Sequence, residues 1–203
     1  MPDINVELPK DATRIWDLQV PIVENKDERT ISVYLHDTID EPCVYNELCH
    51  TLDIAKASST IKLYLNTPGG VMDTAFMVAD AIERSKAQVI AYVSGTVASA
   101  GTLLTMVCDD IIIAPFTSFM IHNYSGGGGG FSKGHELKAR QAFVDKQLND
   151  AFKSFYLGFL TDEEMARVIE GTDFWMGTEE IQKRWNKHIT QQNMPLLHEE
   201  QEL

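Results

Sequence analysis

IKLYLNTPGGVMDTAFMVADAI, residues 61–82, changes its hydrophobic period halfway along. IKLYL (61–65) is a short β-prone run, and NTPGG (66–70) ends it with a proline and two glycines. Ala75, Val78, Ala79 and Ile82 then recur on one helical face. A strand that turns into a helix is the repeating unit of an α/β fold. Upstream, TISVYL (30–35) alternates as a strand does, and Val44, Leu48 and Leu52 line one side of a helix after Pro42. Downstream, AQVIAYV (87–93) predicts the next strand, GTVASAG (95–101) a turn into a helix beginning near Ser99, and IIIA (111–114) and SFMIH (118–122) two further short strands. Such alternation predicts parallel strands joined by right-handed helical crossovers, with ligands collecting at the carboxyl ends of the strands. Both NTPGG and GTVASAG fall at those ends.

Past the glycine run 126–130, HELKARQAFVDKQLNDAFKSFYLGFL (135–160) predicts a long helix. Leu137, Phe143, Leu148, Phe152 and Phe155 make it more apolar than a solvated helix needs. Shorter helices are predicted from Thr161 to Ile169 and from Thr178 to Trp185, each opening with threonine followed by acidic residues. Residues 1–29 carry no clear period, and the tail HEEQEL is expected to fray.

A chain of 203 residues with 44% hydrophobic content can bury a sizeable core, in one domain or one domain with a small appendage. Thirty acidic against 17 basic residues give a net charge of −13, which repels nucleic-acid phosphates and anionic membrane surfaces. Cys43, Cys49 and Cys108 are odd in number and lack a CxxC spacing, so reduced thiols in the cytoplasm are expected. The N-terminus has no secretory pattern. The uncharged run 87–107 is laced with hydroxyls and glycines, which suits a buried strand and helix better than a membrane span. Without HExxH or GxxxxGK[ST], neither a metal site nor phosphate chemistry is expected.

A serine where a buried strand turns into a helix carries its hydroxyl at the helix start, and small neighbours leave room for a substrate carbonyl. The amide of Ala100 would then point at the same oxygen, and one such donor is commonly worth about 3–4 kcal/mol. Glycine in NTPGG permits close backbone approach, which makes the Gly70 amide, with Gly69 beside it, the second candidate donor. Ser99 also suits a helix cap, and a glycine pair suits a plain turn. A nucleophilic serine needs a base and a group to orient that base. His122 ends SFMIH, where it can reach a site at the strand ends. For the acid, Asp109, Asp110, Asp145, Asp162 and Asp173 are all available, and periodicity does not choose among them.

NTPGG, GTVASAG, SFMIH, the glycine stretch before a long helix, and GTDFWMGTEEI (171–181) occur in the order and approximate spacing of Clp protease proteolytic subunits. Over about residues 30–187 the chain resembles that family. The resemblance implies Ser99 as nucleophile, His122 as general base, Asp173 as orienting acid, and the amides of Gly70 and Ala100 as oxyanion hole. It implies an α/β, crotonase-like fold, a superhelix of repeated β-β-α units with a long protruding handle helix at about 134–158. It also implies an N-terminal segment (1–29) that lines a pore or meets a partner, a peptidase domain (30–190) and a flexible tail (191–203).

The activity implied is that of an ATP-independent serine endopeptidase without metal or cofactor. The resemblance further implies a homo-oligomeric ring of seven subunits, two rings in a tetradecamer, and an AAA+ unfoldase of the ClpX or ClpA kind that would feed polypeptide to them. Gly69 and a strand including Gly128, Gly129, Gly130 and Phe131 would bind substrate backbone. Thr172 stands where the family usually carries an arginine that makes a charged contact between rings. That departure motivates an alternative, a catalytically silent ring component or scaffold; a crotonase-type acyl-CoA enzyme is the other alternative.

Overall fold

Ile22–Asn25 (β1) runs antiparallel to Thr30–Leu35 (β2), and β2 pairs in parallel with Thr60–Thr67 (β3). Gln88–Ala98 (β4) pairs in parallel with β3, and Asp110–Ile113 (β5) in parallel with the first half of β4. Parallel neighbours need crossovers. Asn46–Ile54 (α1), entered through a 3-10 turn at Pro42–Tyr45, links β2 to β3. Met72–Arg84 (α2) links β3 to β4, and Ala100–Met106 (α3) links β4 to β5. The computed structural model describes residues 20–26, 28–125 and 134–192, and these elements belong to the first of two compact units, Met1–Thr117 and Ser118–Leu203.

The core of the first unit follows the sequence pattern. Ile61, Leu63 and Leu65 of β3 are fully buried, as are Ala75 and Val78 of α2, while Leu48 and Leu52 of α1 are 1% exposed. Each such Val, Leu or Ile contributes roughly 1.5–3 kcal/mol on burial. The alternate positions of the strands put Tyr34, Tyr64 and Tyr92 side by side, the first two stacked with ring centroids 4.9 Å apart and the third 5.2 Å from the second.

Two strands differ from expectation in a way that matters for Ser99. β3 continues through Asn66 and Thr67, and β4 continues five residues beyond Val93 to end at Ala98, immediately before the serine. Thr67 pairs with Val97 past a shift in register after Leu65. Gly95 absorbs the irregularity at φ 62°, and Asn66 Oδ1 accepts from the Thr96 amide at 3.3 Å.

In the second unit Ser118–Ile121 (β6) pairs antiparallel with Phe174–Gly177 (β7). Gly134–Phe155 (α4), Asp162–Ile169 (α5) and Thr178–Gln192 (α6) complete it. α4 ends three residues before the expected 158, and α6 runs seven residues past the expected Trp185. The reason for the longer α6 is His188, which is 1% exposed, hydrogen-bonds through Nδ1 to the Leu157 carbonyl at 2.7 Å, and lies against Phe159 and Trp185. Thr161 and Glu164 form a capping box at the start of α5. Arg184 grips both oxygens of Glu164 at 2.7 Å and also bonds Glu180 at 2.6 Å. This fork holds the Glu164 carboxyl down to about 2. On α4, Leu148 and Phe152 are buried, whereas Leu137 and Phe143 are exposed.

Candidate active site

Ser99 sits at φ 52° and ψ −127°, a backbone conformation that L residues other than glycine seldom adopt. Such strain costs of order 1–3 kcal/mol and persists only where the surroundings over-determine it. Here β4 delivers the chain to Ala98 and α3 begins at Ala100, so the serine alone must make the whole turn. The Ser99 carbonyl starts the helix by accepting from the Thr102 amide at 2.9 Å and from its hydroxyl at 2.7 Å. Its side chain makes no capping bond to α3, so by position it is the cap and by chemistry it is not.

The turn 66–70 is built against this elbow. Gly69 is buried at φ 95°, and a Cβ there would lie 2.6 Å from Ser99 Cβ, 2.8 Å from the Ala98 carbonyl oxygen and 3.0 Å from the Ala100 nitrogen. Thr67, itself 1% exposed, fixes the turn by accepting from the Gly69 amide at 3.1 Å. On the other side Ile39 bridges to the turn. Its amide donates to the Gly69 carbonyl at 2.8 Å, and its carbonyl accepts from the Val71 amide at 2.8 Å. Neither bond uses the exposed Gly70 amide, and a Cβ on Gly70 would fall 2.1 Å from the Ile39 oxygen. The Gly69 amide is thus engaged and the Gly70 amide is outside the bridge. Ala100 is the first residue of α3, so its N–H has no partner one turn back within the helix.

The second unit holds His122 and Asp173. β6 ends at Ile121, which pairs with Phe174, the first residue of β7. His122 directly follows Ile121 and Asp173 directly precedes Phe174, so both adjoin the same end of this strand pair. His122 is half-buried and Asp173 exposed. Among the other acids considered for this role, Asp109 is committed to the Val89 amide at 2.7 Å, and Asp145 to Tyr124 and Gln141. Of the expected site residues, then, Gly69, Ser99 and Ala100 come together in one unit, and His122 and Asp173 adjoin the paired ends of β6 and β7 in the other. Gly128, Gly129, Gly130 and Phe131 lie outside the described residues.

The sequence reading missed Thr67 and Ile39, which shape the turn. For Thr67 the signal was present in a hydroxyl two residues before the glycine pair; Ile39, fully buried in the irregular stretch 36–41, offered none. Thiol chemistry is poorly served. Burial pushes the Cys108 thiol far above its ordinary value, and burial followed by the Asp53 charge raises that of Cys49. Among the described residues no cluster of three or more His, Cys, Asp or Glu is placed to hold a metal ion. A groove of about 660 Å³ lined by Ile22, Arg29, Ile31, Glu47 and Ile54 contains none of the candidate residues. No described helix is long and apolar enough to cross a membrane.

A strand feeding a strained serine elbow in a mixed α/β fold defines a class of protein in which backbone amides can serve a reacting carbonyl. The sequence model of the Clp protease family matches residues 23–184, and the chain belongs to that family. Its sheet and helices accord with the α/β fold expected from that membership. The chain is similar to the ATP-dependent Clp protease proteolytic subunit 3 of Rhizobium meliloti, with 28% identity over 155 residues, 73% of this chain and 77% of the relative. It is also similar to proteolytic subunit 2 of Pseudomonas aeruginosa, at 34% over 122 residues (59% and 60%), and to the proteolytic subunit of Streptococcus suis, at 31% over 139 residues (64% and 67%).

Proposed function

We propose that this protein is the peptidase core of a Clp-type compartmental protease and hydrolyses peptide bonds as a serine endopeptidase. Ser99 is the nucleophile, His122 takes its proton, and Asp173 holds the imidazole in the useful tautomer. The amides of Gly70 and Ala100 stabilise the oxyanion of the tetrahedral intermediate, whose C–N bond breaks as His122 passes the proton to the leaving amine, and water then hydrolyses the acyl-enzyme ester and restores the Ser99 hydroxyl. The observation that carries this reading is the Ser99 elbow, where a strained serine makes no capping bond and a glycine turn is packed against it. The Gly70 amide, which the Ile39 bridge leaves unused, and the Ile121–Phe174 pair that His122 and Asp173 adjoin support the remaining roles.

In this reading residues 30–190 form the peptidase domain and α4 is the handle, with 1–29 contacting a partner and 191–203 forming a tail. The subunits assemble as heptameric rings, paired as a tetradecamer, in the cytoplasm, and an AAA+ unfoldase supplies polypeptide. Gly69 and residues 128–131 pair with substrate backbone. The exposed Leu137 and Phe143 on α4 suit a surface that other subunits cover.

A catalytically silent ring component is the second reading, favoured by the exposure of Asp173, since an orienting acid is ordinarily desolvated against its histidine. Sedimentation of the wild type and Ser99→Ala, with short-peptide cleavage measured on the same fractions, separates the two. Cleavage that follows a ring-sized particle and vanishes in the variant supports the peptidase. A ring that does not cleave supports the silent component.

A further inference from the structure

Immediately after His122 the chain is gripped from two sides within the second unit. Asn123 Nδ2 donates to the Ile169 carbonyl at 2.8 Å, at the end of α5, while Asn123 Oδ1 accepts from the Tyr124 amide at 2.8 Å. One side chain therefore makes both bonds, and rotating it forfeits both. From Ile169 the chain turns through Gly171, at φ 104°, to Asp173. On the other side the Tyr124 hydroxyl donates to Asp145 Oδ1 on α4. Gln141 Nε2 donates to that same hydroxyl and to Asp145 Oδ1, the latter at 2.7 Å. Gln141 and Asp145 stand four residues apart and share one face of α4. The hydroxyl of Tyr124 is thus used as donor and as acceptor toward a single pair of side chains.

Resting on the reading of His122 as base and Asp173 as its acid, we infer that Asn123 and Tyr124 are positioning residues that fix the His122 segment against α4 on one side and the approach to Asp173 on the other. Neither needs to touch substrate for this. Asn123 links the segment carrying the histidine to the segment leading to the aspartate. Tyr124 removes the freedom of that segment to slide along the helix. The bond to a carboxylate is charge-assisted, hence stronger than one between neutral groups. In keeping with this, the contact lowers the Asp145 carboxyl and raises the Tyr124 hydroxyl relative to their ordinary values.

The test uses the full chain with isotope-labelled histidine and follows the His122 ring resonance together with kcat and KM for a short peptide. Tyr124→Phe and Asp145→Ala are each expected to shift the His122 resonance, lower kcat about tenfold and leave KM within about twofold. The double variant should be no worse than either alone. Asp145→Asn, which keeps an acceptor for the hydroxyl, should recover most of the rate. The His188 resonance should stay in place and report an intact α6. An unmoved His122 resonance in Tyr124→Phe, or additive losses in the double variant, would overturn the inference. Cleavage that survives in Ser99→Ala sinks the peptidase reading instead, and the resonance then decides the positioning role by itself.

Discussion

Gly69 packs against Ser99 so closely that a side-chain carbon on the glycine would lie 2.6 Å from the serine Cβ. The other atoms it would meet are the Ala98 carbonyl oxygen and the Ala100 nitrogen, both backbone. A flexible side chain could swing aside, but the backbone of an elbow cannot. Turn and elbow are therefore one piece of structure, and the strain at Ser99 is held in place from outside the β4–α3 junction.

Gly69→Ala tests this coupling. Besides the clash, the variant places a Cβ at φ 95°, so destabilisation of roughly 2 kcal/mol or more is expected, with peptide cleavage falling about a hundredfold. Urea unfolding and cleavage of a short peptide measure the two effects. Near-normal kinetics would mean that the turn is not part of the site.

Ser99 itself should show opposed effects on stability and activity. Ser99→Gly and Ser99→Ala both remove the hydroxyl, but only glycine is at ease at φ 52°. The glycine variant is expected to be about 1 kcal/mol more stable than the alanine variant, with both inactive. Denaturant midpoints of the two, compared at equal slope, give the answer. Equal midpoints would show that the elbow is unstrained.

Asp173→Asn removes the charge that the proposed mechanism uses while keeping the size of the side chain. The expected loss is about a thousandfold or more in kcat with little change in KM, as for an acid that selects the tautomer of its histidine. A rate within threefold or so of the wild type would remove Asp173 from the mechanism.

The strands and helices of the first unit were legible because their periods are clean. Ile61, Leu63 and Leu65 alternate, and Ala75, Val78, Ala79 and Ile82 repeat at helical spacing, so each pattern names its element. The last five residues of β4 were not legible, since Ser94–Ala98 are small and uncharged and become a strand only because Thr67 pairs with Val97. β1 and β7 were missed for a related reason. Each has four residues and exists through its antiparallel partner, and so carries little pattern of its own. Ser99, Gly69 and Gly70 could be picked out as breakers at strand ends. Asp173 could not be chosen over four other aspartates without family resemblance, because its place beside the β6–β7 pair comes from a long-range pairing that no local period encodes.

Acid should weaken the second unit through Glu164. Its carboxyl is held at about 2 by Arg184, below the ordinary value of 4.5, so the contribution is complete above pH 4.5 and declines as pH falls toward 2. Glu164→Gln is expected to cost roughly 1–2 kcal/mol near neutrality, the pair being largely shielded but not fully buried. The difference between wild type and variant should shrink below pH 4.5. A difference that widens on acidification contradicts the assignment.

The most direct test of the proposed chemistry is the intact mass of the protein after reaction with a fluorophosphonate, for the wild type, Ser99→Ala and His122→Ala. One adduct per chain is predicted for the wild type, mapped to Ser99, with none in Ser99→Ala and a strongly slowed reaction in His122→Ala. An adduct that persists in Ser99→Ala, or a well-folded ring of wild-type protein that takes up none, would contradict the account.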